Sequence, residues 1–213
     1  MKKLLLITSI VCLANLSFAQ SGKYISAMKT NISLTDSMMS KGNALDLANT
    51  FERIANAEKS LWLPYYYASY CTITQAYMEK DNSKKDAIAD KAQQLIDKAD
   101  SILGKENSET SVIKSMIATT HMTVDPQSRY MTYGPQITEF LEKSKSLDST
   151  NPRPVLVQAE NTFYTPEQFG GGKDAAKPIF DHAAKLFDAF KPETEISPAW
   201  GKGAIQYFLS QYK

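Results

Sequence analysis

The chain has 213 residues, and its 24 Lys and Arg against 23 Asp and Glu give it a net charge of +1 at neutral pH. No basic block or stripe stands out, which excludes the electrostatic footprint of a nucleic-acid binder. The length and the hydrophobic share of 43% are enough for one well-buried domain or one short helical array.

The first 19 residues have the three parts of a secretory signal peptide. Lys2 and Lys3 give a positive start, residues 4–16 form an apolar run, and Ser17-Phe18-Ala19 ends it with small residues two positions apart. The run is shorter than the roughly 20 apolar residues that span a bilayer. We therefore predict cleavage after the tripeptide and a periplasmic or otherwise exported protein of residues 20–213. A retained N-terminal anchor is the alternative.

Cys71 is the only cysteine after the signal segment. One thiol cannot form an intramolecular disulfide, so the stability of the exported protein must come from buried apolar surface. Cys71 lies among aromatic residues on a helical pattern, and we interpret it as a buried small hydrophobic residue and not as a reactive thiol.

Beyond the signal segment, the chain has the apolar spacing of helices joined by short turns. Residues 130–134 are predicted to be an aromatic connection, and no stretch alternates with period two for long enough to indicate a sheet. We therefore expect an all-α protein of about nine helices, over residues 24–40, 44 to the turn at 62–64, 66–77, 83–103, 108–123, 136–147, 155–164, 174–190 and 199–212.

Two local features have both a functional and a structural interpretation. The stripe of Tyr66, Tyr70, Ile73 and Tyr77 suits a ligand platform, but such stripes are more often core between packed helices. The glycines of residues 170–172 suggest a phosphate-binding loop. However, the spacing of the phosphate-loop motif is absent, so a tight turn between helices is favoured.

A spaced pattern of small and large residues recurs along the chain. It reads Ala92-x3-Ile96, Ile137-x3-Leu141 and Ala176-x3-Phe180, each with a small residue three positions on, and more loosely Thr50-x3-Ile54. Successive copies are 42, 45 and 39 residues apart. Small residues let helices approach closely, and large ones fill the gap to the next pair.

This pattern resembles the second helix of the tetratricopeptide repeat, and Trp200-x2-Gly203-Ala204-x2-Tyr207 resembles its first helix. The resemblance implies an all-α helical-repeat solenoid of about four antiparallel helix pairs plus a C-terminal helix. The units exceed the usual length of about 34 residues. Residues 163–172 are also similar to a loop in exported bacterial helical-repeat proteins, which include helper subunits of periplasmic solute transporters.

In the tetratricopeptide family, the inner faces of the first helices line a concave groove that receives a peptide or another protein. The resemblance therefore implies a partner-binding groove on this chain. Carried over by motif position, it is lined by Gln75, Met78, Lys114, Ala118, His121, Asn161, Tyr164, Ile205 and Phe208.

Motifs for catalysis and metal binding are missing from the sequence. His121 and His182 have no second histidine at helical spacing, and neither a His-Glu-x2-His nor a Gly-x-Ser-x-Gly sequence occurs. We expect no catalytic residue, metal or cofactor. The main prediction is an exported, non-enzymatic module for protein–protein interaction. A small-molecule-binding or solute-transporter helper protein with a pocket beside Tyr66, Tyr70 and Phe169 is the alternative, and a hydrolase is the third possibility.

Overall fold

The computed structural model describes residues 22–212, and the signal segment lies outside the described residues. Helix α1 covers 22–32, and a 3-10 turn at Thr35–Ser37 leads into α2, Met38–Lys41. The following helices are α3 (Ala44–Ala57), α4 (Trp62–Met78), α5 (Asn82–Leu103), α6 (Ser108–Val124), α7 (Pro126–Leu147), α8 (Arg153–Tyr164), α9 (Lys173–Ala189) and α10 (Lys202–Ser210). Residues 22–212 contain no strand, so the predicted all-α class is confirmed.

Neighbouring helices pack in pairs, α4 with α5, α6 with α7 and α8 with α9, as predicted. The first helices of these pairs also contact one another, α4 with α6 and α6 with α8, and we call them the inner row. Helices α5, α7 and α9, which pack against that row, are called the outer row. The small and large residues of the repeated pattern are at the pair interfaces. Ala92, Ile96, Ala176 and Phe180 are all fully buried.

Helix α7 differs from the prediction, because residues 130–134 belong to it and do not form a connection. The Asp125 side chain accepts a hydrogen bond from the Ser128 amide, and Pro126 occupies the first turn, where its missing N–H costs nothing. Pro135 stands inside the helix. Burial of Ile137, together with Leu141 and Ser144, against the rest of the fold keeps the helix continuous across it.

The aromatic stripe of α4 lies in the core, as the structural interpretation predicts. Tyr66 and Ile73 are fully buried, and Tyr70 nearly so. The pocket expected beside Tyr66, Tyr70 and Phe169 is not formed, because both tyrosines pack in the core while Phe169 is 73% exposed. Cys71 is also buried, and burial raises the pKa of its thiol well above the ordinary value.

The segment before α10 folds back onto the inner face of α4. Trp200 stacks on Tyr70 with ring centroids 4.2 Å apart, and its indole N–H donates to the Tyr66 hydroxyl over 2.8 Å. The Tyr67 hydroxyl donates to the Ser197 carbonyl oxygen over 3.1 Å. The Gly201 amide donates to Asp36 over 3.0 Å, so the same segment also joins the N-terminal part of the chain. The helical array is therefore closed across part of its inner face.

Arg153 joins the inner-row helices through a buried ion pair. Its side chain is 1% exposed and donates to both carboxylate oxygens of Glu109. Tyr66 and Asn151 also donate to that carboxylate, each over 2.8 Å. The guanidinium lies 4.6 Å from the centroid of the Phe190 ring. A buried charge with several partners is tolerated, whereas removal of one partner from such a pair destabilises a protein strongly.

Candidate functional site

The residues predicted to line one groove lie on different surfaces. Gln75 and Met78 are half-buried on α4. Lys114 is buried on α6 and forms ion pairs with Asp100 (2.7 Å) and Glu106 (2.6 Å). His121, two turns later on α6, also contacts helices of the outer row.

The His121 imidazole is held between α5 and α7. Its Nδ1 lies 2.8 Å from Asp86, and its ring stacks on Tyr133 with centroids 5.2 Å apart. Arg129 donates to both oxygens of the same Asp86 carboxylate. Helix α6 is buried on almost all sides, so the sequence pattern does not show which of its faces meets the inner surface.

Three of the predicted residues do come together where α8 and α10 meet. Tyr164 makes an edge contact with Phe208, with ring centroids 6.1 Å apart. Asn161 lies one turn before Tyr164, and its buried side-chain nitrogen has no hydrogen-bond partner among residues 22–212. Whether these residues bind a ligand stays a prediction.

We call this region the aromatic end and define it by Phe163, Tyr164, Phe180, Tyr207 and Phe208. Phe180 and Phe208 stack with centroids 4.7 Å apart, and Phe163 meets Phe208 edge-on at 5.2 Å. Tyr164 and Tyr207 lie outside this stack, 71% and 59% exposed. The aromatic end therefore presents two exposed phenol rings on a rigid aromatic base.

Two lysines of α9 lie beside Tyr212, which follows the last residue of the aromatic end in the sequence. The Gly172 amide donates to the Thr162 carbonyl over 2.9 Å, and this bond places the start of α9 beside the end of α8. Gly172 has a φ of 98°, a conformation that side chains other than glycine rarely adopt. Lys173 and Lys177 lie 5.1 and 5.7 Å from the ring of Tyr212, four residues beyond Phe208. The glycine loop, predicted to be a turn, thus brings two ammonium groups to this end.

Glu160 lies one helical turn before Tyr164 and is half-buried. Burial raises the pKa of its carboxyl group from the ordinary 4.5 to about 7. Burial also raises the pKa of Tyr70, Tyr77 and Tyr164, and the negative charge of Glu160 adds to the effect on each. The charge of Glu160 thus acts on hydroxyl groups of both α4 and α8.

A second exposed surface lies on α7. An open groove of about 540 Å³ is lined by Tyr130, Met131, Gly134, Pro135, Thr138 and Glu139. Tyr130 and Met131 are 62% and 81% exposed, and the Tyr130 ring folds over Gly134. Its lining comes from a single helix, so this groove cannot enclose a ligand between elements.

Glu160 and Tyr207 were not among the residues predicted for the site. Tyr207 was named only in the motif that resembles the first tetratricopeptide helix, and its ring is mostly exposed. The sequence contains one signal for these exposed rings, namely two adjacent aromatic residues at 163–164 and again at 207–208. Neighbouring side chains on a helix point in different directions, so one ring of each pair lies outside the core. No group of three or more His, Cys, Asp and Glu that could hold a metal ion occurs within 22–212, and no helix of that region is long and apolar enough to cross a membrane.

No model of a known protein family matches the chain, and no curated protein does either. Among solved structures, the chain is similar to the HusA haemophore from Porphyromonas gingivalis, with 32% sequence identity and a TM-score of 0.75. The similarity covers 89% of this chain and 92% of the haemophore chain. The resemblance to tetratricopeptide repeats is supported only for the all-α fold of helix pairs.

The similarity corrects the main functional prediction. It is to a haemophore and not to a protein-interaction module, so the expected protein–protein function of the concave groove is wrong. The alternative, a small-molecule-binding protein, is the prediction that this finding favours. At 32% identity over nine-tenths of both chains, the protein belongs to the same family as the HusA haemophore.

Proposed function

We propose that the protein binds haem or a closely related tetrapyrrole at the aromatic end and acts as a carrier without enzymatic activity. The observation that carries this proposal is the pair of exposed rings, Tyr164 and Tyr207, beside the buried stack of Phe180 and Phe208 and the half-buried ring of Phe163. Large apolar groups exposed together mark interaction sites in soluble proteins. The family relationship to a haemophore supports a tetrapyrrole as the ligand.

The side chains at the aromatic end match the chemistry of a tetrapyrrole. Its flat apolar ring can stack on Tyr164 and Tyr207, and aromatic contacts of this kind are worth about 0.5–1.5 kcal/mol each beyond the area they bury. A tyrosine oxygen can ligate ferric iron. Burial raises the pKa of Tyr164, so the metal would have to displace the phenol proton. The ammonium groups of Lys173 and Lys177 suit the two propionates, although Lys177 also pairs with Asp181 at 2.8 Å.

Export is part of the proposal and depends on the N-terminal sequence. Residues 1–19 have the charge, apolar run and small residues of a secretory signal. Mass spectrometry of the protein from the periplasm or medium should give a chain that begins at Gln20. A full-length chain held in membranes would contradict cleavage.

A titration of the purified protein with ferric haem, followed by the Soret band, tests the binding site. Changing both Tyr164 and Tyr207 to Ala removes the two stacking rings. We expect haem affinity to fall by about tenfold to a hundredfold, which corresponds to about 1–3 kcal/mol for two aromatic contacts. Metal-free protoporphyrin, followed by fluorescence, should be weakened as well, because stacking does not need iron.

Tyr130→Ala is the matched control, since Tyr130 is exposed to a similar degree but lies on α7. It should leave the affinity unchanged. Lost binding in Tyr130→Ala with normal binding in the double variant would move the site to the α7 groove. Failure of the unaltered protein to bind either porphyrin would refute the proposed function.

A further inference from the structure

The carboxylate of Glu160 is unpaired beside the aromatic end. Within residues 22–212 it has no hydrogen-bond or ion-pair partner, and its oxygens are not among the fully buried side-chain atoms. The carboxylate therefore keeps some contact with solvent, although burial makes its ionisation unfavourable. Since Glu160 and Tyr164 are four residues apart on α8, they lie on the same helix face with Cβ atoms about 6 Å apart.

The titratable groups around Glu160 stay neutral near pH 7. They are the hydroxyls of Tyr70 and Tyr77 on α4 and of Tyr164 on α8, and burial raises the pKa of all three. Tyr207 of α10, whose ring contacts Phe208 as that of Tyr164 does, adds a further hydroxyl. The charge of Asp36 acts on Tyr70, and its carboxylate accepts a hydrogen bond from the Gly201 amide. On α6, the side chain that faces Tyr77 is Thr120, which does not titrate. Glu160 is thus the group whose charge changes here.

We propose that Glu160 determines the charge specificity of the aromatic end: when protonated it admits a ligand carboxylate, and when ionised it repels one. This inference rests on the proposed function, because it concerns the two propionates of a tetrapyrrole stacked on Tyr164. Glu160 lies one helical turn from Tyr164, and the Debye length at physiological salt is roughly 8 Å. A propionate on the edge of the stacked tetrapyrrole that faces Glu160 is therefore within range of its charge.

The inference predicts a pH dependence with a definite sign. Below the pKa of about 7, Glu160 is neutral and can donate a hydrogen bond to a propionate. As the pH rises through that value, the carboxyl group ionises. An anionic ligand then binds only if Glu160 takes up a proton or if the complex tolerates repulsion between like charges, and both cost binding free energy. The affinity for a dicarboxylate porphyrin should therefore fall as the pH rises.

The test compares mesoporphyrin with the same porphyrin carrying neutral amides in place of both propionates. Fluorescence titrations from about pH 6 to about pH 8.5 bracket the ionisation of Glu160. For the unaltered protein we expect the affinity for the dicarboxylate to fall about tenfold and that for the diamide to stay constant. Glu160→Gln, an uncharged mimic of the protonated form, should bind both porphyrins without pH dependence. Glu167→Gln, at an exposed carboxylate of the 3-10 turn Glu167–Phe169 that follows α8, should behave like the unaltered protein.

Two results would overturn this inference alone. One is a pH dependence for the dicarboxylate that persists in Glu160→Gln, and the other is an equal pH dependence for the diamide. In either case porphyrin still binds, so the proposed function stands. If neither porphyrin binds at any pH, both the proposed function and this inference fail. Circular dichroism and thermal melting of the variants show that they are folded.

Discussion

Arg153 and Glu160 lie two turns apart on α8, and their charges are accommodated in opposite ways. Arg153 is almost fully buried, but Glu109 and the ring of Phe190 compensate its charge. Glu160 has no partner of opposite charge among residues 22–212, and burial therefore raises its pKa to about 7. A carboxyl group in this setting holds its proton because ionisation in a poorly solvated place is unfavourable. The burial that gives Glu160 a role in ligand choice thus also makes the fold sensitive to pH.

Glu160→Gln should stabilise the protein at alkaline pH. The folded state binds the proton more tightly than the unfolded chain, whose carboxyl ionises near 4.5, so stability falls as the pH rises from about 4.5 through about 7. Glutamine removes this loss. At pH 8 we expect the free energy of unfolding to be about 1–3 kcal/mol higher in the variant, with little difference below pH 4.5. Urea unfolding at both pH values measures it, and parallel pH profiles for the two proteins would contradict it.

The entry into α10 depends on a close approach that only glycine permits. Gly201 has a φ of 109°, and a Cβ atom there would lie 2.7 Å from the Phe187 ring and 2.8 Å from Leu156. Gly104, which ends α5, also has a positive φ of 69°, but a Cβ atom there would meet nothing within 4 Å. A comparison of substitutions at the two glycines therefore separates the energetic cost of backbone strain from that of steric overlap.

Alanine should be far more harmful at Gly201 than at Gly104. Gly104→Ala adds only the strain of a left-handed backbone, about 1 kcal/mol. Gly201→Ala adds overlap with two core side chains, and we expect a total loss of about 2–4 kcal/mol because overpacking forces the core apart. Chemical unfolding of both variants gives the comparison. Equal losses would mean that Phe187 and Leu156 can move aside freely.

The C-terminal segment joins the two ends of the molecule. Trp200 stacks on Tyr70 in the inner row, while the adjacent Gly201 binds Asp36. Glu195 in the same segment pairs with Lys29 of α1 at 2.7 Å, an exposed contact of small energetic weight. Trp200 therefore fixes the segment before α10 on the inner row, next to the Gly201 bond to Asp36.

Trp200→Ala should loosen both ends of the chain together. Loss of a buried tryptophan costs about 3–5 kcal/mol, and here the lost contacts hold α10 and, through Asp36, the first 20 described residues. In native-state hydrogen exchange, amides of α10 and α1 should exchange faster than those of α6. Ile96→Ala, at a buried site of the outer row, is the control and should destabilise without singling out these helices. Unchanged exchange in α1 would contradict the coupling.

Functional residues were harder to predict than helices, and α6 shows why. Helix α5 has one apolar stripe, so burial of Ala92 and Ile96 follows from spacing alone. In α6 nearly every side is buried, so the sequence pattern does not orient it, and Lys114 and His121 were placed on the inner surface although they face the outer row. Tyr164 and Phe208, both predicted for the groove, are in edge contact in the structure, but their role in binding stays a prediction.

The sequence by itself determined the helices, their pairing and the small and large residues between them, because these depend on spacing within about two turns. Only the tertiary structure decided that Trp200 folds back onto Tyr70, that Glu160 has no partner among residues 22–212, and that Tyr164 and Tyr207 both contact Phe208. Contacts between residues 40 or more positions apart depend on how the whole array curves. That curvature comes from the sum of many small packing contacts, and no single motif specifies it.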